Sequence, residues 1–144
     1  MSIEGILGRK GTHVETIDPH ATVKLAADSL HDKRIAALVV LRDGSISGIL
    51  SERDIVDAIS LYGERALTKS VEDILSPKLV TVSPKDSVKH AMSLMTDHRV
   101  RHLPVLDEGK LVGIVSIGDV VKHRLEDLEL ETNVLRDVYI AAVR

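Results

Sequence analysis

The chain has 144 residues, of which 44% are hydrophobic and 28% charged, and it carries a formal net charge of -3. These values suit one compact domain, or two small repeats sharing a core, and argue against disorder and against a general nucleic-acid binder. The absence of cysteine excludes disulfides, thiolate zinc sites, iron–sulfur clusters and cysteine nucleophiles. No apolar run approaches the roughly 20 residues of a membrane span, and Met1-Ser2-Ile3-Glu4 lacks the form of a signal peptide, so the sequence reads as cytoplasmic. Tyr62 and Tyr139 are the only aromatic residues. A bound base would therefore lie between aliphatic side chains, not on the aromatic platforms used for single strands.

The chain repeats itself. Residues 15–59 align without gaps to residues 80–124 at an offset of 65, with about a third of positions identical. A preamble also repeats, Ser2-Ile3-Glu4-Gly5-Ile6-Leu7 against Ser70-Val71-Glu72-Asp73-Ile74-Leu75, and three extra residues fall within Gly8 to His13 of the first copy. Each copy opens with a short extended stretch, Thr16-Ile17 or Thr81-Val82, that ends before Pro19 or Pro84. Apolar residues at i, i+3, i+4 and i+7 then predict a helix: Val23, Ala26, Ala27, Leu30, and Val88, Ala91, Met92, Met95. A strand over Ala36 to Leu41, or Arg101 to Leu106, leads into an Asp43-Gly44 or Glu108-Gly109 turn. A second strand covers Ile46 to Leu50 or Leu111 to Val115, and a last helix starts at Ser51 or Ser116. The order is β-α-β-β-α, twice. This is an α+β chain whose two halves must pack together to cover their strands. The predicted units are residues 1–60, a linker over 61–69, residues 70–125, and a helical tail over 126–144.

The tail has a pattern of its own. Val121, Leu125, Leu128, Thr132, Leu135, Tyr139 and Ala142 recur at alternating spacings of four and three, a heptad-like seam. At ~1.5 Å per residue the helix would span roughly 35 Å. It either folds back on its own core or joins a second protomer.

The motif that bears on chemistry is Gly-x-x-Ser-x-x-Asp, present as Gly48/Ser51/Asp54 and as Gly113/Ser116/Asp119. One reading is purely structural, because Ser-x-x-Asp ahead of an amphipathic helix is a capping box. The other is functional. A serine hydroxyl and free N–H groups at a helix start hold phosphate, a carboxylate one turn on accepts hydrogen bonds from a ribose diol, one per oxygen, and the glycine lets a ligand approach the strand.

The stretches TIDP and TVSP, RIAALVV and RVRHLPV, RDG and DEG, and GILSERD and GIVSIGD together resemble a tandem pair of cystathionine β-synthase (CBS) domains, over about residues 2–125. The resemblance implies a pseudo-twofold pair with two clefts between the repeats, like small bacterial sensor proteins built from one such pair. It implies binding of an adenosine compound: AMP, ADP, ATP, NAD or S-adenosylmethionine. Pairs of this family often dimerise into a flat disc, so a homodimer is expected. Carried over, one cleft takes Ser51, Arg53 and Asp54 with a wall of Ser76, Leu79, Val80, Val100 and His102. The second takes Ser116 and Asp119 with a wall of Thr12, Val14, Ile35 and Ala37. Arg101 and His102 stand where repeat one has Ala36 and Ala37, and in the family basic residues there point toward ligand phosphates. The alternative for that pair is a solvated strand start. The Gly8-to-His13 insertion alters one wall of the second cleft.

Catalysis finds no support in the sequence. His98 and His102 are four apart but straddle a helix end and a strand. H-E-x-x-H, G-x-S-x-G and Walker patterns are all missing, and the seven histidines read mostly as surface residues with no metal role. The expectation is a non-enzymatic nucleotide sensor that needs no fixed cofactor and contacts neither nucleic acid nor membrane. The rival is a ligand-free interaction module acting on a partner protein.

Overall fold

A computed structural model describes residues 1–143. In chain order the elements are α1 (Ile3–Lys10), β1 (Thr16–Ile17), α2 (Val23–Lys33), β2 (Ala37–Arg42), β3 (Ser45–Ser51), α3 (Glu52–Tyr62), a 3-10 turn (Gly63–Thr68), α4 (Val71–Ile74), α5 (Val88–His98), β4 (His102–Asp107), β5 (Lys110–Ser116) and α6 (Ile117–Val143). The segment expected as a linker is thus ordered, and its Ala66 is fully buried.

The local chemistry explains the boundaries. Thr22 and Ser87 cap α2 and α5 by accepting from the N–H of Leu25 and His90. Both helices end on an arginine with positive φ, Arg34 and Arg99. Both hairpins turn through two residues of positive φ, Asp43-Gly44 and Glu108-Gly109, the backbone that a two-residue type I′ connection requires. β1, β2 and β3 form one sheet, with β1 parallel to β2 and β2 antiparallel to β3. β4 and β5 form the matching hairpin, and the counterpart of β1 shrinks to a single parallel bridge, Val82 to Val105. Val23, Ala26 and Leu30 are buried on α2, as are Val88, Ala91 and Met95 on α5, whereas Met92 of the predicted stripe is 42% exposed.

The preambles exchange sides. α1 belongs by sequence to the first copy, yet its start is tied to the second: the N–H groups of Ile3 and Glu4 donate to the carbonyls of Asp86 and Pro84, each at 2.9 Å. Its Ile3, Ile6 and Leu7 share a core cluster with Val88, Leu103 and Val115. α4 does the converse. The N–H groups of Val71 and Glu72 donate to Ala21 and Pro19, and Val71 joins Val23, Leu38 and Leu50 in the other cluster. Residues 1–10 therefore lie against residues 80–120 in space, away from the repeat they precede in the chain.

This exchange gives the motif glycines a different role from the one expected. A Cβ at Gly113 would lie 2.7 Å from a Leu7 methyl, and one at Gly48 would lie 2.7 Å from a Leu75 methyl. The missing side chain admits the swapped leucine, not a ligand. Of the two arrangements open to the tail, the first is not adopted. The tail does not fold back on the core: α6 buries only Val120 and His123, while Leu128, Leu135 and Tyr139 are exposed. His123, expected at the surface with most of the histidines, is 4% exposed.

The swapped packing predicts an energetic coupling. Leu7→Ala should cost about 2–5 kcal/mol and Gly113→Ala about 1–3 kcal/mol, by cavity formation and overpacking respectively. The double variant should be more stable than the sum of the two implies, because the smaller side chain makes room for the added methyl. Urea denaturation of the four proteins measures this, and strict additivity would contradict the contact.

Candidate functional site

Both Ser-x-x-Asp motifs fold as capping boxes. At α3 the Asp54 N–H donates to Ser51 Oγ (3.4 Å), while Asp54 Oδ2 accepts from the Ser51 backbone N–H (2.8 Å) and from its hydroxyl (3.2 Å). At α6 the Asp119 N–H donates to Ser116 Oγ (3.2 Å), and Asp119 Oδ2 accepts from the Ser116 N–H (2.8 Å). In each motif Oδ2 is committed to the helix start. No hydrogen bond from the described residues reaches either Oδ1. The sequence expectation gave each carboxylate oxygen one ribose hydroxyl; here the capping box occupies Oδ2, and Oδ1 has no hydrogen bond among the described residues.

Beside the second motif lies a cavity of about 370 Å³ that crosses the repeats. Val14, Ile35 and Ala37 line it from the first repeat, and Ile114 and Ser116 from the second. Of the residues expected in this cleft, Thr12 is exposed and is not part of the lining. Asp119 is tied to the cavity through Lys10, a lining residue whose Nζ donates to Asp119 Oδ2 at 2.6 Å and to the Ile114 carbonyl at 2.9 Å. Glu15 also lines it and accepts from His13 Nε2 at 2.7 Å and from Lys33. The His13 and Lys33 hydrogen bonds hold the Glu15 carboxyl below its usual range.

Lys10 was not among the expected site residues. It falls within Gly8 to His13, the stretch that holds the three extra residues, and α1 runs to eight residues against four in α4. That extra turn carries the lysine across to the other repeat's motif. The signal was present in the mismatch between the preamble offset and the repeat offset, but its direction depends on the swapped packing.

His102 is also relocated. Expected in the first cleft, it lines the second cavity, paired in the hairpin register with Ser116. Burial lowers its pKa below the ordinary 6.5; the Lys10 charge adds to this, and the Asp119 and Glu52 carboxylates oppose it. The surroundings accordingly favour the neutral imidazole. Burial raises the Asp119 carboxyl, but the Lys10 ammonium and the Ser116 N–H outweigh that effect, so its pKa lies below the ordinary 3.8.

The first cleft's expected members are more dispersed. Arg53, Arg101 and Leu79 are exposed, and Ser76 is half-buried with its Oγ accepting from the Lys78 N–H. Val80 and Val100 pack against the second repeat's core. Among the described residues no hydrogen bond links Ser76 to Ser51, Arg53 or Asp54. Arg101 contributes its carbonyl, which accepts from the Ile117 N–H and braces the start of α6.

A pH dependence follows from His102. The unfolded chain takes up a proton on this residue below about pH 6.5, whereas the fold resists it, so stability is lost as pH falls from 6.5 toward the folded value. Asp119 stays ionised over that window. The urea midpoint should fall between about pH 7.5 and about pH 5.5, and the fall should shrink in His102→Gln. An unchanged pH profile in the variant would remove His102 as its cause.

Comparison with known proteins agrees with the repeat. The CBS-domain family model matches residues 11–61 and 71–126. The CBS domain-containing protein YhcV of Bacillus subtilis is 33% identical over 116 residues, covering 81% of this chain and 82% of that protein. The mitochondrial CBS domain-containing protein CBSX3 of Arabidopsis thaliana is 42% identical over 106 residues, 70% of this chain, and the match spans about half (52%) of that longer protein. Among solved structures, the CBS-domain protein ATU1752 from Agrobacterium tumefaciens superposes with a TM-score of 0.84 at 39% identity, over 86% of this chain and 99% of that one. The two matched segments coincide with the two β-α-β-β-α repeats, and the chain belongs to the CBS-domain family.

Proposed function

We propose that this chain is a regulatory module that binds an adenosine-containing ligand in the cavity between its repeats. The observation that carries the reading is the lining of that cavity: Val14, Ile35 and Ala37 of the first repeat share it with Ser116 of the second and with Lys10 of α1, whose ammonium holds Asp119 beside it. Val14, Ile35 and Ala37 suit the faces of a purine. Asp119 Oδ1 would accept from a ribose hydroxyl, and the Ser116 hydroxyl and Lys10 ammonium would meet phosphate at the α6 N-terminus. AMP, ADP, ATP, NAD and S-adenosylmethionine all carry the adenosine part. One structural neighbour that shares the fold at 22% identity, the CBS pair of protein MJ0100, was crystallised with 5'-methylthioadenosine and S-adenosyl-L-methionine, which supports the fold's capacity for such compounds.

In this reading the chain is cytoplasmic and homodimeric, carries no catalytic step, requires no fixed cofactor or metal, and binds neither nucleic acid nor membrane. Among the described residues no helix is long and apolar enough to cross a membrane. Regulation requires the ligand to prefer one arrangement of the two repeats. α6 is the element placed to report it, since Ser116 and Asp119 form its first turn and the rest of it extends beyond the core.

A second reading rests on Lys10. Its ion pair occupies Asp119 within the protein itself, as a ligand-free interaction module would require. Calorimetric titration with the five compounds, after removal of co-purified nucleotide, separates the two. Micromolar binding of any of them is expected; no binding of any would favour the interaction module. Asp119→Ala should weaken binding by ~1.5–3 kcal/mol, the range for a hydrogen bond to a charged group. Lys10→Met should weaken AMP roughly tenfold while leaving adenosine little changed, since only the phosphate meets the ammonium. Wild-type affinity in both variants would remove this cavity as the site.

A further inference from the structure

We propose that α6 is an interaction surface for a second copy of this chain, and that two α6 helices pair in parallel and in register. The inference deepens the homodimer reading above by naming the surface and the geometry. Over its first three turns α6 has two faces; from Leu128 on it is exposed all round, with Leu130, Val134, Val138 and Ile140 exposed as well as the seam. Val120 and His123 turn inward and are buried, with Asp127 half-buried behind them on the same stripe. The opposite stripe carries the seam at alternating spacings of four and three. Val121, Leu128, Leu135 and Tyr139 on it are 49%, 42%, 70% and 68% exposed. In heptad terms Leu125, Thr132 and Tyr139 take a positions, and Val121, Leu128, Leu135 and Ala142 take d positions. A shallow concavity of about 560 Å³ runs along the start of this stripe, floored by Ile117, Val121 and Leu125.

Charge complementarity selects the occupant. The positions that flank the seam carry Arg124 and Glu131 on the g side and Glu129 and Arg136 on the e side. In a parallel, in-register pair each g residue meets the e residue five positions further along the partner helix. That sets Arg124 against Glu129 and Glu131 against Arg136, and the twofold axis repeats both contacts. Both charged contacts are therefore attractive, and neither sets like against like. Among the described residues none of these four side chains has an ion-pair partner within its own chain. The geometry is also sterically open. Val120, His123 and Asp127 take c and f positions, so the stripe that packs on the fold is not the a/d stripe that the partner helix would cover.

The absence of native cysteine makes a clean test. Leu135→Cys in the full chain places a single thiol on the seam, where a parallel in-register pair brings it against itself. Asn133→Cys places one on the flank, off the seam. Under mild oxidation at micromolar concentration, Leu135→Cys should form a disulfide-linked dimer with a yield several-fold above that of Asn133→Cys. The double variant Leu128→Asp/Leu135→Asp should sediment as a monomer while keeping the wild-type circular dichroism of a folded chain. If the wild type sediments as a dimer but Leu135→Cys links no better than Asn133→Cys, the parallel pairing is overturned and the homodimer reading stands. If the wild type sediments as a monomer, both fall. A dimer of the Asp variant that forms as readily as wild type would also overturn the pairing and move the interface elsewhere.

Discussion

The exchange of preambles between the repeats is the contact on which the rest of this molecule depends. Neither repeat closes its own core. The sheet of the first is completed by Val71 and its neighbours from α4, and that of the second by Ile3, Ile6 and Leu7 from α1. The two exchanges are locked where a leucine side chain occupies the space a glycine leaves, Leu7 over Gly113 and Leu75 over Gly48. Interiors are packed at crystal-like density, so such a contact tolerates little change in volume. The consequence for function is positional. A cavity between the repeats keeps its shape only if the repeats keep their relative placement, and each preamble is a strap that crosses from one to the other.

The same strap makes the two halves unequal. α1 is one turn longer than α4, and the added turn ends at Lys10, whose ammonium reaches both Asp119 and the Ile114 carbonyl. Asp54 has no such cation in its hydrogen bonds. A longer preamble helix thus alters the electrostatics of one motif without touching its sequence. The lowered pKa of Asp119 and that of His102 share this cause in part, since Lys10 favours the carboxylate and disfavours the imidazolium.

Much of the fold was legible in the residues. The duplication, the alternation of helix and strand, the Asp-Gly and Glu-Gly turns and the serine caps all follow from local chemistry, and each appears where expected within a residue or two. What was not legible involves pairing over distance. Periodicity marks Ile3, Ile6 and Leu7 as apolar but does not say which sheet they cover. The motif glycine reads equally as room for a ligand or room for a leucine, and only the exchange decides between them. His102, expected in the first cleft, lines the second cavity; strand order does not reveal which face of a hairpin meets which repeat. For α6 the seam was visible, but its two possible partners, its own core or another chain, present the same spacing.

The capping box and the binding motif need not be rivals. A capping box fixes the serine and aspartate relative to the first turn of the helix by two reciprocal hydrogen bonds. In both motifs this consumes Asp Oδ2 and holds Oδ1 in one orientation. A carboxylate tethered in this way loses little further freedom when a hydroxyl donates to it, and that lowers the entropic cost of binding. In the proposed binding mode the four capping atoms stabilise the helix and also orient Oδ1, the oxygen left for a ligand hydroxyl. At α6 this means that any ligand reaching Asp119 acts directly on the first turn of a helix whose remaining length lies outside the core. A local contact at the cavity is thereby placed in mechanical continuity with the exposed apolar surface of α6.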